Sequence, residues 1–157
     1  MKFKDLIYVF FCSMVPVIEL RGSLIIGAGL DVPIFANYLV SVIGNIIPVP
    51  FILLFIRHIL HWMEKTPKFK LDKIAHFVMG IADKNKEKVL RYATFGLFIF
   101  VAIPLPGTGA WTGSLVAAML DMRFKRAFPA ILAGVMCAGV IMSLAAYGVF
   151  GFLEFLL

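Results

Sequence analysis

The side chains that could do chemistry lie beside two proline-containing breaks in otherwise apolar sequence. Glu19 and Arg21 follow the first proline in the stretch PVIELRG, and the second break reads IPLPGTGAWTGS over residues 103–114. Ionisable groups within apolar segments are costly to bury and are functional candidates by default. Positions two apart on a helix do not face each other. Each side chain is therefore expected to pair across the molecule or to face a cavity.

Glu19 is the candidate proton carrier, because burial disfavours the charged form of a carboxyl group and lets it exchange a proton near neutral pH. Arg21 is the candidate ligand of an anionic head group, because its guanidinium is a planar fork of donors. The alternative role for both residues is a structural ion pair that locks two helical hairpins together.

The second break combines backbone freedom with hydroxyl groups. A helix that begins near Ala110 would direct free N–H groups and its positive dipole end toward the centre of the protein. With Arg21, such an arrangement suits a phosphate or carboxylate. The break is not a nucleotide-binding loop, because it lacks the required lysine and a preceding strand. The glycine and hydroxyl candidates are Gly107, Thr108, Gly109, Thr112 and Ser114.

Asn45 is a polar residue within a long apolar run, just before Pro48 and Pro50. Because prolines free backbone carbonyls, Asn45 either satisfies one of these or lines the site. His58 and His61 lie near Glu64, but a fourth metal ligand is missing. These residues are predicted to be an interfacial anchor. We expect no metal, no cofactor and no enzyme, since no nucleophile–base constellation is recognisable.

The composition is that of an integral membrane protein with a single membrane domain, 1–157. Hydrophobic residues make up 62% and charged residues 15%, against roughly 45–50% and about 25% in soluble domains; mean hydropathy is +0.98. The net charge of +6 comes mainly from one stretch. That distribution is typical of a cytoplasmic loop rather than of a nucleic-acid partner.

Segment lengths predict an all-α architecture. A spanning helix needs about 20 apolar residues, which residues 34–62 and 127–150 supply. The segments flanking Pro16 and Pro106 are shorter, so each pair is predicted to form a re-entrant hairpin. Irregular backbone at membrane depth needs surrounding protein or a water-filled cavity.

A shift of 90 positions reveals an internal repeat, residues about 5–62 and about 92–150. One crossing per repeat makes the two halves inverted, a transporter plan with its site at the repeat interface. The coinciding residues include Pro16 with Pro106, Leu30-Asp31 with Leu120-Asp121, and Gly44 with Gly134.

Charge orients the molecule. The lysine-rich loop 64–91 is predicted to be cytoplasmic, and LDMRFKRAF returns to that side, whereas LDVPIFANY carries no base. Lys2 and Lys4 fit this topology poorly, since it places them outside. Within 63–91, apolar residues at helical spacing predict an amphipathic helix on the inner surface.

The stretches PVIELRGSLIIGAGL, IGNIIPVP and IPLPGTGAWTGSLVAAML resemble the small multidrug export proteins of prokaryotes over nearly the whole chain. The hairpins are also similar to those of the DedA superfamily, whose members are linked to moving lipid carriers such as undecaprenyl phosphate. The resemblance implies that Glu19, Arg21 and residues 104–114 are site positions. It also implies location in the cytoplasmic (inner) membrane. Residues 23–26 depart from the family, which often has a proline there.

The sequence thus predicts a transporter that moves an amphipathic small molecule or a lipid-phosphate carrier across the cytoplasmic membrane with proton coupling.

 
Physical reasoning favours an anionic head group; the family name instead suggests drugs, many of them cationic, and Glu19 would then bind substrate directly. The alternative is a non-transporting lipid-binding or scaffold protein. The expected partners are the substrate, membrane lipids and a second copy in a homodimer, since small residues in AGVMCAGVIMSLAAYG permit close helix packing; no nucleic acid is expected.

Overall fold

The computed structural model describes residues 3–55, 86–105 and 107–156, and the side chains of 3–55, 92–105 and 107–149. All regular structure in this part of the chain is helical. The helices are α1 (Phe3–Met14), α2 (Glu19–Gly29), α3 (Ile34–Ile46), α4 (Lys86–Ala102), α5 (Ala110–Met119) and α6 (Phe124–Leu156). After a turn residue at 47, residues 48–55 are again helical.

Part of the predicted organisation falls outside these ranges. Residues 64–85 of the predicted loop, with most of the amphipathic helix, lie outside the described residues, as do His58, His61 and Glu64. Within the described part, α4 begins at Lys86, so its first turns occupy the end of what the sequence assigned to the loop.

In the part of the chain that the structure describes, two helices are long and apolar enough to cross a membrane, Ile34–Phe55 and Phe124–Val149. They correspond to the two spans predicted from the sequence. Large apolar side chains point outward along them: Phe35 is 81% exposed and Phe51 is 71% exposed. Water does not favour so much exposed apolar surface, whereas lipid does. The protein is a membrane protein whose described residues form only helices.

The two proline-containing stretches interrupt the helices where the sequence predicted. α1 ends at Met14 and α2 begins at Glu19; α4 ends at Ala102 and α5 begins at Ala110. Proline has no N–H to donate to a helix, so Pro16 favours a break. α1 packs against α2, and α4 packs against α5.

The repeated Leu-Asp pair ends a helix in the same way both times. Asp31 has φ 56° and Asp121 has φ 47°, a left-handed conformation that aspartate tolerates better than most residues. The N–H of Val32 bonds to Gly27 O at 3.0 Å, and that of Met122 bonds to Ala117 O at 2.9 Å. These bonds close the same helix C-cap. The shared C-cap at Asp31 and Asp121 explains why the Leu-Asp pair recurs.

Gly44 and Gly134 admit a neighbouring helix at close range. A Cβ at position 44 would lie 2.7 Å from Phe10 O, on α1, and one at position 134 would lie 2.9 Å from Phe98 O, on α4. These backbone oxygens cannot move aside as the end of a flexible side chain can. Each glycine therefore allows the first helix of its half to pack against the long helix.

The two halves also bury the same positions. Buried, half-buried and exposed residues follow one another in the same order over 19–35 and 109–125. Between the halves, α2 and α3 both pack against α6. The core combines side chains from both halves, among them Leu24, Val49, Leu53, Val101, Ile131 and Val135.

The contacts between α3 and α6 run in opposite order along the two helices. Asn37 Nδ2 donates to Tyr147 Oη at 3.0 Å, and a Cβ on Gly139 would touch Val42. Asn37 also donates to Leu24 O at 2.9 Å, and Tyr147 Oη donates to Val32 O. These hydrogen bonds link α2, the turn at Val32, α3 and α6.

Candidate functional site

Glu19 occupies a strained and buried position at the first residue of α2. Its φ is 50°, which is rare for a residue other than glycine. Such strain persists only where the surroundings enforce it, and it clusters at functional sites. The side chain is 8% exposed. The first break thus holds a carboxyl group inside the protein.

The Glu19 carboxylate lies at the N-terminus of α5. Its Oε1 accepts a hydrogen bond from Trp111 N at 3.3 Å, and a Cβ on Gly109 would fall on the carboxylate. Gly109, the N-cap of α5, supplies no side-chain cap. Because helix N-termini favour negative charge, Glu19 acts as the cap of α5 from the other half of the chain.

Arg21 reaches across to the second break in the same way. Its Nη2 donates to Thr108 Oγ1 at 2.7 Å and to Ile103 O at 3.1 Å. Thr108 Oγ1 also lies within hydrogen-bond distance of two carbonyls of its own turn. Arg21 therefore satisfies the carbonyl at the end of α4 and fixes the turn that follows.

Trp111 makes the corresponding contact in the opposite direction. Its Nε1 donates to Met14 O at 3.2 Å, at the end of α1. Trp111 is the residue 90 positions after Arg21, so equivalent positions cap the first helix of the other half. Sequence reasoning placed Trp111 within the site range 104–114 but gave it no role of its own. The shift of 90 positions could have indicated one, because it aligns Trp111 with Arg21 and Gly109 with Glu19.

A groove of about 600 Å³ runs between the two breaks. Its walls are largely apolar, and Glu19 and Arg21 are its ionisable groups. A guanidinium carries five donor hydrogens, and both bonds that the structure shows for Arg21 use Nη2. The donors on Nε and Nη1 make no hydrogen bond to the residues that the structure describes and are available to a ligand. The lining residues are Pro16, Val17, Ile18, Glu19, Arg21, Gly22, Ile25, Ile26, Gly107 and Thr112.

A second cavity, of about 10 Å³, lies against Glu19 on the side of α3. Asn45 lines it and is 1% exposed. Among the described residues, Asn45 Oδ1 has no hydrogen-bond partner. Asn45 and Glu19 therefore lie against the same small cavity.

Most of the predicted site residues come together. Gly107 and Thr112 line the groove with Glu19 and Arg21, while Gly109 and Thr108 contact those two side chains. Ser114 does not join them, because its Oγ donates to Ala110 O at 2.6 Å within α5. Within the described residues, no group of three or more His, Cys, Asp or Glu could hold a metal ion.

Comparison with known proteins gives one result. A family model described as "Putative small multi-drug export protein" matches residues 19–141. The match begins at Glu19 and covers the groove-lining residues of both halves except Pro16, Val17 and Ile18. No curated protein and no solved structure matches the chain.

Proposed function

Because the chain belongs to the small multi-drug export protein family, we propose that it is a transporter of an amphipathic molecule with an anionic head group. The substrate class is an amphipathic small molecule or a lipid-phosphate carrier, and Glu19 carries a coupling proton. One observation carries the proposal: a largely apolar groove contains Arg21 and Glu19 beside the N-terminus of α5. An apolar tail would lie along the groove, and the head group would meet Arg21.

Proton coupling is supported by the position of the Glu19 carboxylate at the N-terminus of α5. The ionised carboxylate accepts the N–H of Trp111, and hydrogen bonds to charged groups are roughly twice as strong as neutral ones. Protonation of Glu19 weakens this bond and removes a negative charge beside Arg21. Both changes favour a substrate anion at the same helix end. The proton and the anion are therefore bound together.

The proposed transport frame is two inverted repeats, each a re-entrant hairpin and one spanning helix. It is supported by the opposite order of contacts along α3 and α6 and by the reciprocal capping of Met14 and Ile103. Cysteine labelling tests it in a Cys12→Ser, Cys137→Ser background. Single cysteines at positions 31 and 121 should react from opposite membrane faces; reaction from one face would reject the inversion.

Transport is tested in proteoliposomes with a fluorescent single-chain lipid phosphate. Glu19→Gln should bind this probe but lose the stimulation of its transport by a pH gradient. Arg21→Ala should lose binding, and Arg21→Lys, which keeps the charge without the planar fork, should recover part of it. Undiminished binding by Arg21→Ala would contradict the anionic substrate.

A cationic substrate makes the opposite prediction. Glu19 would then contact the substrate directly, and Glu19→Gln would abolish binding of a fluorescent cationic dye. Measuring both probes on the same variant separates the two substrate classes, since the anionic proposal predicts retained lipid-phosphate binding.

The second candidate function is a non-transporting lipid-binding or scaffold protein. The bonds of Arg21 and Trp111 across the breaks favour it, because a structural lock would use the same contacts. In that case Glu19→Gln changes stability alone and the wild type moves neither probe. Cytoplasmic placement of 64–91, the homodimer and the similarity to the DedA superfamily stay predictions.

A further inference from the structure

Asn45 has a buried hydrogen-bond acceptor to which no described residue donates. The side chain is 1% exposed, and its Oδ1 has no partner among the described residues. Buried polar atoms are nearly always paired, either with protein or with ordered water. A donor is therefore needed at Asn45 Oδ1.

The space next to Asn45 is the small cavity that also touches Glu19. Its volume is about 10 Å³, close to the least that accommodates one water molecule. Apart from Asn45, Glu19 and Arg21, the cavity is lined by apolar residues and glycine. These are Leu20, Val101, Gly109, Ala110, Val135 and Ala138.

The chemistry of the two oxygen-bearing groups selects the occupant. An ionised carboxylate only accepts hydrogen bonds, and so does an amide oxygen. Glu19 and Asn45 Oδ1 therefore cannot bond to each other in that state, whereas a water has two donor hydrogens for two acceptors. Hard metal cations need a larger shell of oxygen ligands than this mainly apolar lining supplies.

We propose that this cavity binds one water molecule, which donates one hydrogen to Asn45 Oδ1 and the other to the Glu19 carboxylate. Asn45 is then a positioning residue that holds the water against Glu19. After Glu19 takes up a proton, its O–H donates to the water oxygen while the water still donates to Asn45. The same water satisfies Asn45 in both protonation states.

The water site itself does not require transport, whereas the positioning role rests on the proposed function. The two parts are tested separately. A crystal structure grown from a lipidic phase should show one density peak within hydrogen-bond distance of Asn45 Oδ1 and Glu19. An empty cavity, or a direct bond between the two side chains, would overturn the water site.

Asn45→Thr and Asn45→Val form a matched pair, since the two side chains share a shape and differ by one hydroxyl. If the cavity holds water, the threonine variant should melt about 2–4 °C higher than the valine variant, because it keeps a partner for the water. A dry cavity reverses the order, because valine leaves no polar atom unpaired. A melting temperature that rises in sodium chloride but not in potassium chloride would assign a cation to the cavity and overturn the proposal.

Ser143→Ala is the control for removing a buried polar atom elsewhere. Ser143 is 4% exposed, its Oγ has no hydrogen-bond partner within the described ranges, and it does not line the cavity. In transport assays, Asn45→Val should displace the pH profile and Asn45→Thr should restore it, while Ser143→Ala leaves it unchanged. An unchanged profile in Asn45→Val would refute the positioning role; a wild type that transports nothing would refute the proposed function and leave the density and melting tests standing.

Discussion

Replacing Gly109 by alanine should separate the Glu19 carboxylate from α5. The new Cβ would fall on the carboxylate, while the backbone at Gly109, with φ −87° and ψ −168°, suits alanine. The substitution therefore acts through Glu19 rather than through backbone strain. The substitution removes a hydrogen bond to a charged group, worth about 1.5–3 kcal/mol. It also removes a favourable charge at a helix N-terminus, worth about 0.3–1 kcal/mol.

The expected loss of stability is about 2–4 kcal/mol, measured by thermal unfolding in lipid nanodiscs. Gly96→Ala is the matched control. Gly96 lies within α4, and a Cβ there meets nothing within 4 Å. Because glycine weakens a helix interior, this control should gain about 0.5–1 kcal/mol.

A double-mutant cycle decides whether Glu19 is the cause. In a Glu19→Ala background the obstructing carboxylate is gone, so Gly109→Ala should cost little there. An equal loss in both backgrounds would refute the interpretation, since the damage would then come from another contact of Gly109.

The remaining predictions concern the frame around the site and use the same unfolding measurement. Gly44→Ala should cost about 1–3 kcal/mol through overpacking against α1, whereas Gly148→Ala, with nothing within 4 Å of the new Cβ, should not; equal effects would contradict the close approach. Asp31→Val should cost about 1–2 kcal/mol at a left-handed position, and Asp31→Gly should not. Tyr147→Phe should cost about 1 kcal/mol, because it removes the hydroxyl that links Asn37 to Val32; no loss would show that the bond contributes nothing.

Local chemistry explains which features the sequence predicts well. Proline removes a hydrogen bond from a helix interior, so a break at Pro16 is expected from the sequence, although α6 accommodates Pro129. Length and apolar composition likewise identify the two spans. The recurrence of Leu-Asp is visible too, although only the structure gives its reason, a shared C-cap with Asp31 and Asp121 in the left-handed conformation.

Partners across the molecule are what the sequence leaves open. The spacing of Glu19 and Arg21 indicates that they point apart, but not that one caps α5 and the other the end of α4. In the sequence Trp111 is one more apolar residue, and only the structure shows that its Nε1 donates a hydrogen bond to Met14 O. Ser114 is another case in which the sequence cannot show the partner: its hydroxyl lies near the break and donates to Ala110 O of its own helix.

Strain and capping at Glu19 oppose each other, and their balance links charge to the shape of the first break. A left-handed residue costs about 1–2 kcal/mol, while the bond from Trp111 to an ionised carboxylate contributes about 1.5–3 kcal/mol. A neutral carboxyl accepts a weaker bond, about 0.5–1.5 kcal/mol, which no longer clearly offsets the strain. On the proposed mechanism, protonation therefore loosens the first turn of α2 at the same moment that it vacates the N-terminus of α5. In this proposal the strained residue is also the coupling residue, because one side chain both takes up the proton and releases the site.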